Sequence, residues 1–335
     1  MYKIFKDPSL QVSFEKEGYA KFNLLDEGTI EQLQALYNHY LTEKEQLQNS
    51  RYGMHISLND RNLESKKKLI EKIQLTLTPC LNRVLENYKL HLGGFLTKMP
   101  EDGAYTYPHQ DWTFVDNEDT KAFSATIWIT LSPLSKKEGS LGFIKGSHRL
   151  FNEVIGSPSP ATVTSAQKFG SLFFDYLEVP ALNAGDALMF NNKTIHGAFP
   201  NHSDSPRIAI GVGVTPKHCS LYHYTLVPSK HDRFKKLKVD ELFFTKYMNE
   251  ELYELYQKKF DFKKYDTGEE VPAVVSELTE EEVESKIQAL GNKRKITQVR
   301  KNESSSSSRK EDSRGFFEIY TPRNIYLEIK HRLGN

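Results

Sequence analysis

The sequence predicts a mainly β protein with flanking helices, and two kinds of periodicity support this fold class. Apolar side chains alternate with polar or small ones in residues 123–131 and again in residues 207–215. A two-residue period is typical of a strand that buries one face. Residues 29–48 and 62–88 instead carry apolar side chains at helical spacing, which gives each predicted helix an apolar stripe. We therefore expect these helices to cover the apolar face of a sheet.

The N-terminal elements are separated by glycine and proline. Gly18 lies between the end of a short helix and a strand that starts at Tyr19, because glycine is a strong breaker of regular structure. Within the second long helical stretch, Pro79 interrupts the pattern. Proline removes one helical hydrogen bond, so we expect two helical segments or a kink at this point.

The parity of the two predicted strands places particular side chains on their inner face. In residues 123–131 the odd positions are apolar, which leaves Thr126 and Trp128 to line the mouth of a barrel. Arg207 shares its face with small residues, and these leave room for a ligand. The turn-rich residues 200–206 predict an antiparallel hairpin. In an unbulged hairpin His196 and Arg207 are directly opposed, so the arginine reaches a ligand held by the histidine.

The length, net charge and cysteine content of the chain are consistent with one large domain that is close to neutral and has no disulfide framework. The chain has 335 residues, with 45 Lys and Arg against 44 Asp and Glu, a formal net charge of +1. Such a balance gives no argument for nucleic acid as a partner. Cys80 and Cys219 are the two cysteines, too few for a disulfide framework. We find no signal peptide at the N-terminus and no apolar run of membrane-spanning length, and expect a cytoplasmic protein.

A possible metal site is indicated by two histidines and a carboxylate. His109 and Asp111 are two residues apart, so a strand would point both to one face. His196 follows 85 residues after Asp111, and Arg207 comes eleven residues later. Two histidines and one carboxylate with open positions form the facial triad of non-haem Fe(II) oxygenases. Each residue alone also fits an ordinary role, a core histidine or a surface ion pair.

The context of these residues gives a more specific indication. Four motifs follow one another along the chain: His109-Gln110-Asp111, EGSLGFIKGSHR at 138–149, NAGDALMF at 183–190, and His196 followed by SPRIAI at 205–210. In this order they resemble the phytanoyl-CoA dioxygenase family, which includes ectoine hydroxylase, and the resemblance runs from about residue 14 to about residue 216. Ser140 and Ala198 depart from the pattern of many relatives, at a turn and at a minor cosubstrate contact.

This resemblance implies a double-stranded β-helix, a jelly-roll or cupin-like core, that uses Fe(II), 2-oxoglutarate and O2. It implies that His109, Asp111 and His196 bind the iron and that Arg207 binds the distal carboxylate of 2-oxoglutarate. Arginine meets a carboxylate in a two-pronged geometry that lysine cannot offer. We add Thr126 and Lys98 as further 2-oxoglutarate contacts. As substrate-pocket residues we add Tyr105, Tyr107 and Trp128.

The domain prediction follows from the same comparison. Residues 1–262 are expected to form the dioxygenase domain, and residues 263–335 a helical or disordered extension. Within the domain we place the helices at 28–88, the β-helix core at about 91–227 and a C-terminal helical addition at 229–262. The turn-rich insert between His148 and Asn183 is expected to cover the barrel mouth.

The leading functional interpretation is a hydroxylase of a small molecule or of a carrier-bound acyl group. A basic run in residues 230–238 could bind the phosphates of a carrier such as coenzyme A, although such runs are more often solvated. The related halogenases have a small residue in place of the carboxylate ligand, so Asp111 argues against that activity. A non-catalytic cupin-like module that binds a metal or ligand, or a protein or peptide hydroxylase, would also fit these residues. Substrate identity and oligomeric state are not encoded in any readable motif.

Overall fold

The computed structural model describes residues 1–42, 53–100, 104–159 and 161–295. Within these residues, thirteen strands form three sheets whose strand pairs are all antiparallel. The strands are β1 (Tyr19–Asn23), β2 (Met54–Ile56), β3 (Tyr88–Leu90), β4 (Gly94–Lys98), β5 (Thr106–His109), β6 (Ala125–Thr130), β7 (Leu141–Phe143), β8 (Asp186–Asn191), β9 (His196–Ala198), β10 (Arg207–Pro216), β11 (Leu221–Val227), β12 (Lys230–Val239) and β13 (Asp266–Pro272). The helices are α1 (Pro8–Glu17), α2 (Glu27–Thr42), α3 (Leu63–Val84), α4 (Ser165–Lys168), α5 (Gly170–Phe174), α6 (Glu241–Lys246), α7 (Asn249–Gln257) and α8 (Glu280–Ala289).

Two of the sheets form the jelly-roll core. The major sheet has the order β1-β8-β6-β10-β4-β2, with β3 also paired to β10, and the minor sheet has the order β5-β9-β7. An apolar cluster joins them, because Trp128 and Phe190 of the major sheet pack with Phe143 and Ala198 of the minor sheet. The predicted fold class, a β core packed by helices, is confirmed.

The N-terminal helices cover the outer face of the major sheet, as the sequence predicted. Ile127 and Ile129 of β6 and Val212 of β10 share one buried cluster with Leu33 of α2 and Ile73 of α3. Burying apolar side chains contributes about 1.5–3 kcal/mol each, so this cluster is the main apolar contact that fixes the helices.

The ends of α1 and the course of α3 show how local sequence sets these helices. The Asp7 side chain accepts a hydrogen bond from the Ser9 amide at the start of α1, and Gly18 ends the helix with a φ of 82°. A left-handed backbone conformation at the end of a helix favours glycine. By contrast, α3 is one helix with Pro79 inside it, so the predicted interruption does not divide it. Pro79 has no amide hydrogen to donate to the carbonyl of Leu75, and Leu75 is exposed, so the proline lies on the outer side of the helix.

The segment after β10 differs in part from the expected helical addition. It forms the third sheet, with the order β11-β12-β13, before and around α6 and α7. The basic run is therefore a strand, and three of its five cations already have acidic partners among the described residues: Lys230 with Glu270, Lys235 with Asp261 and Asp266, and Lys236 with Asp116 and Glu269.

The part after residue 262 contacts what precedes it. Strand β13 pairs with β12, and Val283 and Ile287 of α8 are fully buried in a cluster with Phe169 and Phe173 of the insert. A capping box at Thr279 and Glu282 starts α8, as its sequence suggested. The serine-rich stretch and the C-terminal tail lie outside the described residues, apart from residues 291–295.

Two predictions about the inner face are wrong. His196 and Arg207 are not opposed in a hairpin: β9 belongs to the minor sheet, whereas Arg207 in β10 pairs with Lys98 of β4. The small residues of β10 do not leave ligand space either. A Cβ at Gly213 would lie 2.5 Å from Nε2 of His91, and one at Gly211 would lie 2.8 Å from Cδ1 of Leu96, so these two side chains occupy that volume.

Candidate active site

The two histidines and the carboxylate meet at one end of the minor sheet. His109 of β5 and His196 of β9 are directly paired across the two strands. Asp111 follows β5, and its Oδ1 lies 3.7 Å from Nε2 of each histidine. One ligand atom from each of the three residues lies within 4.8 Å of the other two. This separation suits three ligands on one face of a single metal ion, with the other face open.

Main-chain carbonyls fix both imidazoles in the form that a metal requires. Nδ1 of His109 lies 2.7 Å from the carbonyl oxygen of Tyr107, and Nδ1 of His196 lies 2.9 Å from that of Thr194. A carbonyl can only accept, so each Nδ1 carries the proton and each Nε2 keeps its lone pair towards Asp111. Burial, reinforced by the neighbouring His109, lowers the pKa of His196 to about 4, although Asp111 opposes this shift. His196 is therefore neutral near pH 7, as a metal ligand must be.

Two side chains hold the outer oxygen of Asp111. Its Oδ2 accepts hydrogen bonds from Nδ2 of Asn192, at 2.7 Å, and from Oγ1 of Thr126, at 3.0 Å. Asn192 also donates to Thr126 at 2.9 Å. The carboxylate is thus oriented with Oδ1 towards the histidines. Thr126, predicted as a 2-oxoglutarate contact, instead has its hydroxyl on this metal-ligand candidate.

Lys98 and Arg207 form a buried cationic pair across β4 and β10. Lys98 is 0 % exposed and Arg207 3 % exposed, and among the described residues no carboxylate lies within 4.0 Å of either cation. Burial, with a smaller effect of Arg207, lowers the pKa of Lys98 to about 7. Burial also lowers the pKa of Arg207 to about 10. Two buried cations without a described counter-ion favour an anionic ligand.

The side chains of Lys98 and Arg207 each contact a residue that lines a cavity. Nζ of Lys98 donates to Oγ1 of Thr106 at 3.2 Å, and Nη2 of Arg207 lies 3.8 Å from Sδ of Met54. Nε of Arg207 is buried and has no hydrogen-bond partner within the described part of the chain, so one donor is available there. Both Thr106 and Met54 line the cavity that also contains His109.

This cavity has a volume of about 480 Å³ and contains part of the predicted site. Tyr105 and Tyr107 line it, as predicted, and each packs edge-on against Phe174. The expected cover is present too, since residues of the insert such as Val163 and Gln167 line the same cavity. Trp128 is not among its lining residues. It is 2 % exposed, and its ring centroid lies 5.1 Å from Cζ of Arg207, so its position suits support of the guanidinium.

The sequence comparison decides the family. The model of the phytanoyl-CoA dioxygenase family, PhyH, matches residues 14–209, more than half of the chain. The chain belongs to the phytanoyl-CoA dioxygenase family. It is therefore a non-haem iron enzyme whose cofactors are Fe(II) and 2-oxoglutarate. The donor set described above fits that metal, because it offers two imidazole nitrogens and one carboxylate oxygen.

Solved structures of similar proteins were also found. The carbocyclase SnoK from nogalamycin biosynthesis has a TM-score of 0.49 and 16 % identity, over 64 % of this chain and 86 % of its own. The epimerase SnoN, in complex with Fe3+, alpha-ketoglutarate and a nogalamycin compound, has a TM-score of 0.46 and 20 % identity, over 64 % and 87 %. HygX from Streptomyces hygroscopicus, with nickel and 2-oxoglutarate, has a TM-score of 0.45 and 15 % identity, over 63 % and 88 %. No curated protein sequence matches the chain.

Two further residues of this family member were missed by sequence reasoning. Asn192 stands four residues before His196, and its side chain is directed at Asp111. Asn249 of α7, beyond the region matched by the family, lines the cavity. Trp112 lines it too; from the sequence, Trp112 and Trp128 were each either a core aromatic or part of a substrate wall, with parity favouring Trp128. The short spacing to His196 could have marked Asn192. No signal in the sequence joins Asn249 to the site, because that contact is made only by the fold.

Proposed function

We propose that this enzyme hydroxylates an unactivated C–H bond of a small, uncharged molecule. His109, Asp111 and His196 hold the iron, and Arg207 with Lys98 holds the distal carboxylate of 2-oxoglutarate. The observation that carries the proposal is the arrangement of the donors: both Nε2 atoms and one carboxylate oxygen converge. His109 lines a cavity that also contains Thr106 and Met54, the neighbours of Lys98 and Arg207.

When bound, the iron and the cosubstrate supply the oxidising chemistry, which would insert one oxygen atom of O2 into the C–H bond as a hydroxyl and place the other oxygen atom in the succinate formed, with CO2, from 2-oxoglutarate. The protein's own residues bind, orient and exclude water. Asn192 and Thr126 keep Asp111 turned towards the histidines, while the guanidinium, lying over the Trp128 ring, offers an unused Nε donor for a carboxylate.

The cavity lining supports an uncharged substrate. Among the described residues that line it, none is Asp, Glu, Lys or Arg. A charged substrate group here would lose water without gaining a charged partner, which costs several kcal/mol. The lining combines aromatic rings, Tyr105, Tyr107 and Trp112, with the amides of Gln167 and Asn249. Such a mixture of apolar surface and a few fixed polar groups is typical of small-molecule sites.

Three competing functions receive less support from the structure. A coenzyme A carrier would need free cations, but three of the five in the basic run are already paired within the described residues. A protein substrate would need an open groove, whereas the insert forms part of the cavity wall. A purely binding function leaves the oriented carboxylate and the tautomers of both histidines without a purpose.

The deciding experiment is an anaerobic titration of the metal-free protein with Fe(II) and then 2-oxoglutarate. We expect the weak visible charge-transfer band of an iron–2-oxo-acid chelate. Asp111→Ala should abolish the band, whereas Asp204→Ala, which removes an exposed carboxylate, should leave it unchanged. Iron binding without the band would favour a non-catalytic binding module. Succinate release in the presence of a compound library would then identify the substrate.

A further inference from the structure

One wall of the cavity is a loop that we call the wall loop, residues 155–159 and 161–164. It lies inside the region matched by the family. Thr113, also inside that region, exchanges two hydrogen bonds with Ile155 at the start of the loop, whereas the anchors at Ser157 and Ser159 lie beyond it. Members of the loop that line the cavity are Ile155, Gly156, Ser159, Thr162, Val163 and Thr164.

The first anchor of the wall loop is β11. The Ser157 amide donates to the carbonyl of Tyr224 at 2.9 Å, and the amide of Leu226 donates to the carbonyl of Ser157 at 2.8 Å. Oγ of Ser157 also lies 2.7 Å from Nε2 of His223. A Cβ on Gly156 would stand 2.5 Å from the ring of Phe234. The loop is therefore in close contact with a sheet that begins after residue 209, where the family match ends.

The second anchor is a single side chain. Oδ1 of Asn249 accepts a hydrogen bond from the amide of Ser159, and Nδ2 of Asn249 donates to the carbonyl of Ser159, both at 2.8 Å. This reciprocal pair needs a donor and an acceptor on one short side chain, which asparagine provides and aspartate does not. Both Asn249 and Ser159 line the cavity.

We propose that Asn249 is a positioning residue that fixes the wall loop, so that the chain after residue 209 sets the shape of the substrate cavity. Calling it the substrate cavity rests on the proposed function. The inference itself rests on the two hydrogen bonds and on the place of both residues in the wall. The Asn249 side chain forms its two described hydrogen bonds with Ser159 and not with any residue proposed to hold iron or 2-oxoglutarate, so we expect the binding of those ligands to be independent of this contact.

Residues that flank the wall loop form a third set of contacts with the later part of the chain. The carboxylate of Glu153 accepts hydrogen bonds from the Ser165 hydroxyl and from the Ser276 amide. Lys168 donates to the carbonyls of Ser276 and Leu278. These contacts join the insert to the segment that leads into α8. Asn249 differs from them because it lines the cavity and lies beyond the region matched by the family.

The test compares hydrogen exchange of the wall loop, by mass spectrometry, in the full chain and in three variants. Asn249→Ala should speed exchange of the Ser159 region about tenfold, because two hydrogen bonds to this residue are lost. Acrylamide quenching of Trp112, which lines the same cavity, should increase in parallel. Gln257→Ala, at the exposed end of the same helix, should leave both unchanged.

Asn249→Asp separates positioning from a mere helix role. Asn249 is the first residue of α7, where an acidic side chain stabilises a helix, yet aspartate would set a charge against the Ser159 carbonyl. We expect it to exchange as fast as the alanine variant. Wild-type protection in Asn249→Asp, or unchanged exchange in Asn249→Ala, would overturn the inference, as would an iron–2-oxoglutarate affinity that falls more than about twofold in Asn249→Ala. A wild-type chelate band that fails to appear would instead sink the proposed function, while the exchange result still decides whether Asn249 fixes the loop.

Discussion

At the scale of single residues, Lys98 and Arg207 stand out because two like charges are buried side by side. Their burial depresses both pKa values, and a carboxylate placed between them would relieve the repulsion and the lost hydration. The pair is therefore better suited to a bound anion than to an empty pocket.

We predict that 2-oxoglutarate binding weakens as pH rises through about 7. Above the lowered pKa of Lys98 the ligand-free protein carries a neutral amine, and binding the anion must then take up a proton. Linkage sets a limit of about tenfold weaker binding per pH unit above pH 7, and no dependence from this group below it. The chelate band, titrated anaerobically between about pH 6 and pH 8.5, measures this.

Matched variants test whether Lys98 is the group that takes up the proton when 2-oxoglutarate binds. Lys98→Met should weaken binding about tenfold or more at pH 6 and remove the pH dependence, whereas Lys137→Met, at an exposed position, should behave as wild type. A pH dependence that persists in Lys98→Met would assign the proton to another group.

Asn192 gives a second residue-scale prediction. Replacing it with alanine removes one of the two described side-chain donors to Oδ2 of Asp111 and leaves the carboxylate free to rotate. We expect the Fe(II) affinity to fall about 10- to 100-fold, measured by competition with a chelator. Thr126→Val should have a smaller effect, and Asn183→Ala, at an exposed site, none. An unchanged affinity in Asn192→Ala would show that Asp111 needs no orienting partner.

At the scale of elements, some of the structure could be predicted because it depends on local pattern. The alternation in residues 123–131 predicted which face of β6 meets the helices, and Ile127 is indeed packed with them. The predicted hairpin between His196 and Arg207 was wrong, because local turn signals do not reveal which sheet a strand joins. Asn201 decides that point: it is 1 % exposed, and its amide donates to the carbonyls of Lys98 and Ser205. These contacts turn the chain from the minor to the major sheet.

Some residues of the candidate site could be predicted from the sequence, and others could not. The three metal-ligand candidates could be named from spacing and family order, and the structure brings them together. The role of Asn249 could not be predicted from the sequence, because its partner Ser159 is 90 residues away and asparagine is common on protein surfaces. Only the folded structure brings Asn249 to the cavity, and no pattern in the sequence indicates that position.

Helix α8 yields a prediction about stability. Ile287 is 0 % exposed and packs within the cluster that also contains Phe173. Ile287→Ala should lower the free energy of unfolding by about 2–4 kcal/mol, measured by urea denaturation. Ser285→Ala, on the exposed side of the same helix, should change it by less than about 0.5 kcal/mol. Equal stability of the two variants would mean that α8 is not part of the cooperative fold.

At the scale of the whole molecule, the apolar clusters join the major sheet to the N-terminal helices and the insert to α8. None of the helices in the described part of the chain combines the length and apolar character of a membrane span. The family region and the later segments share buried contacts, so we expect ligand binding to stabilise the chain as one unit.

Ligand addition should accordingly raise the melting temperature. With Fe(II) and 2-oxoglutarate at about 100 times their Kd, each would add about 2.7 kcal/mol, and we expect a rise of about 5 °C or more by anaerobic calorimetry. His196→Ala should show no rise with the same additions, while His202→Ala, exposed in a nearby loop, should match wild type. A rise that survives in His196→Ala would place the iron elsewhere.

The main-chain hydrogen bonds of the two imidazoles have a consequence for how this chain tolerates change. Nδ1 of His109 and of His196 is bonded to the carbonyl two residues before it, not to a neighbouring side chain. Substituting Tyr107 or Thr194 therefore leaves the acceptor in place. The ring orientations are robust to mutation around them, and only a shift of the strands themselves could turn a lone pair away from the metal. The backbone thus supplies the acceptors that place the Nδ1 protons, whereas the orientation of Asp111 depends on the side chains of Asn192 and Thr126.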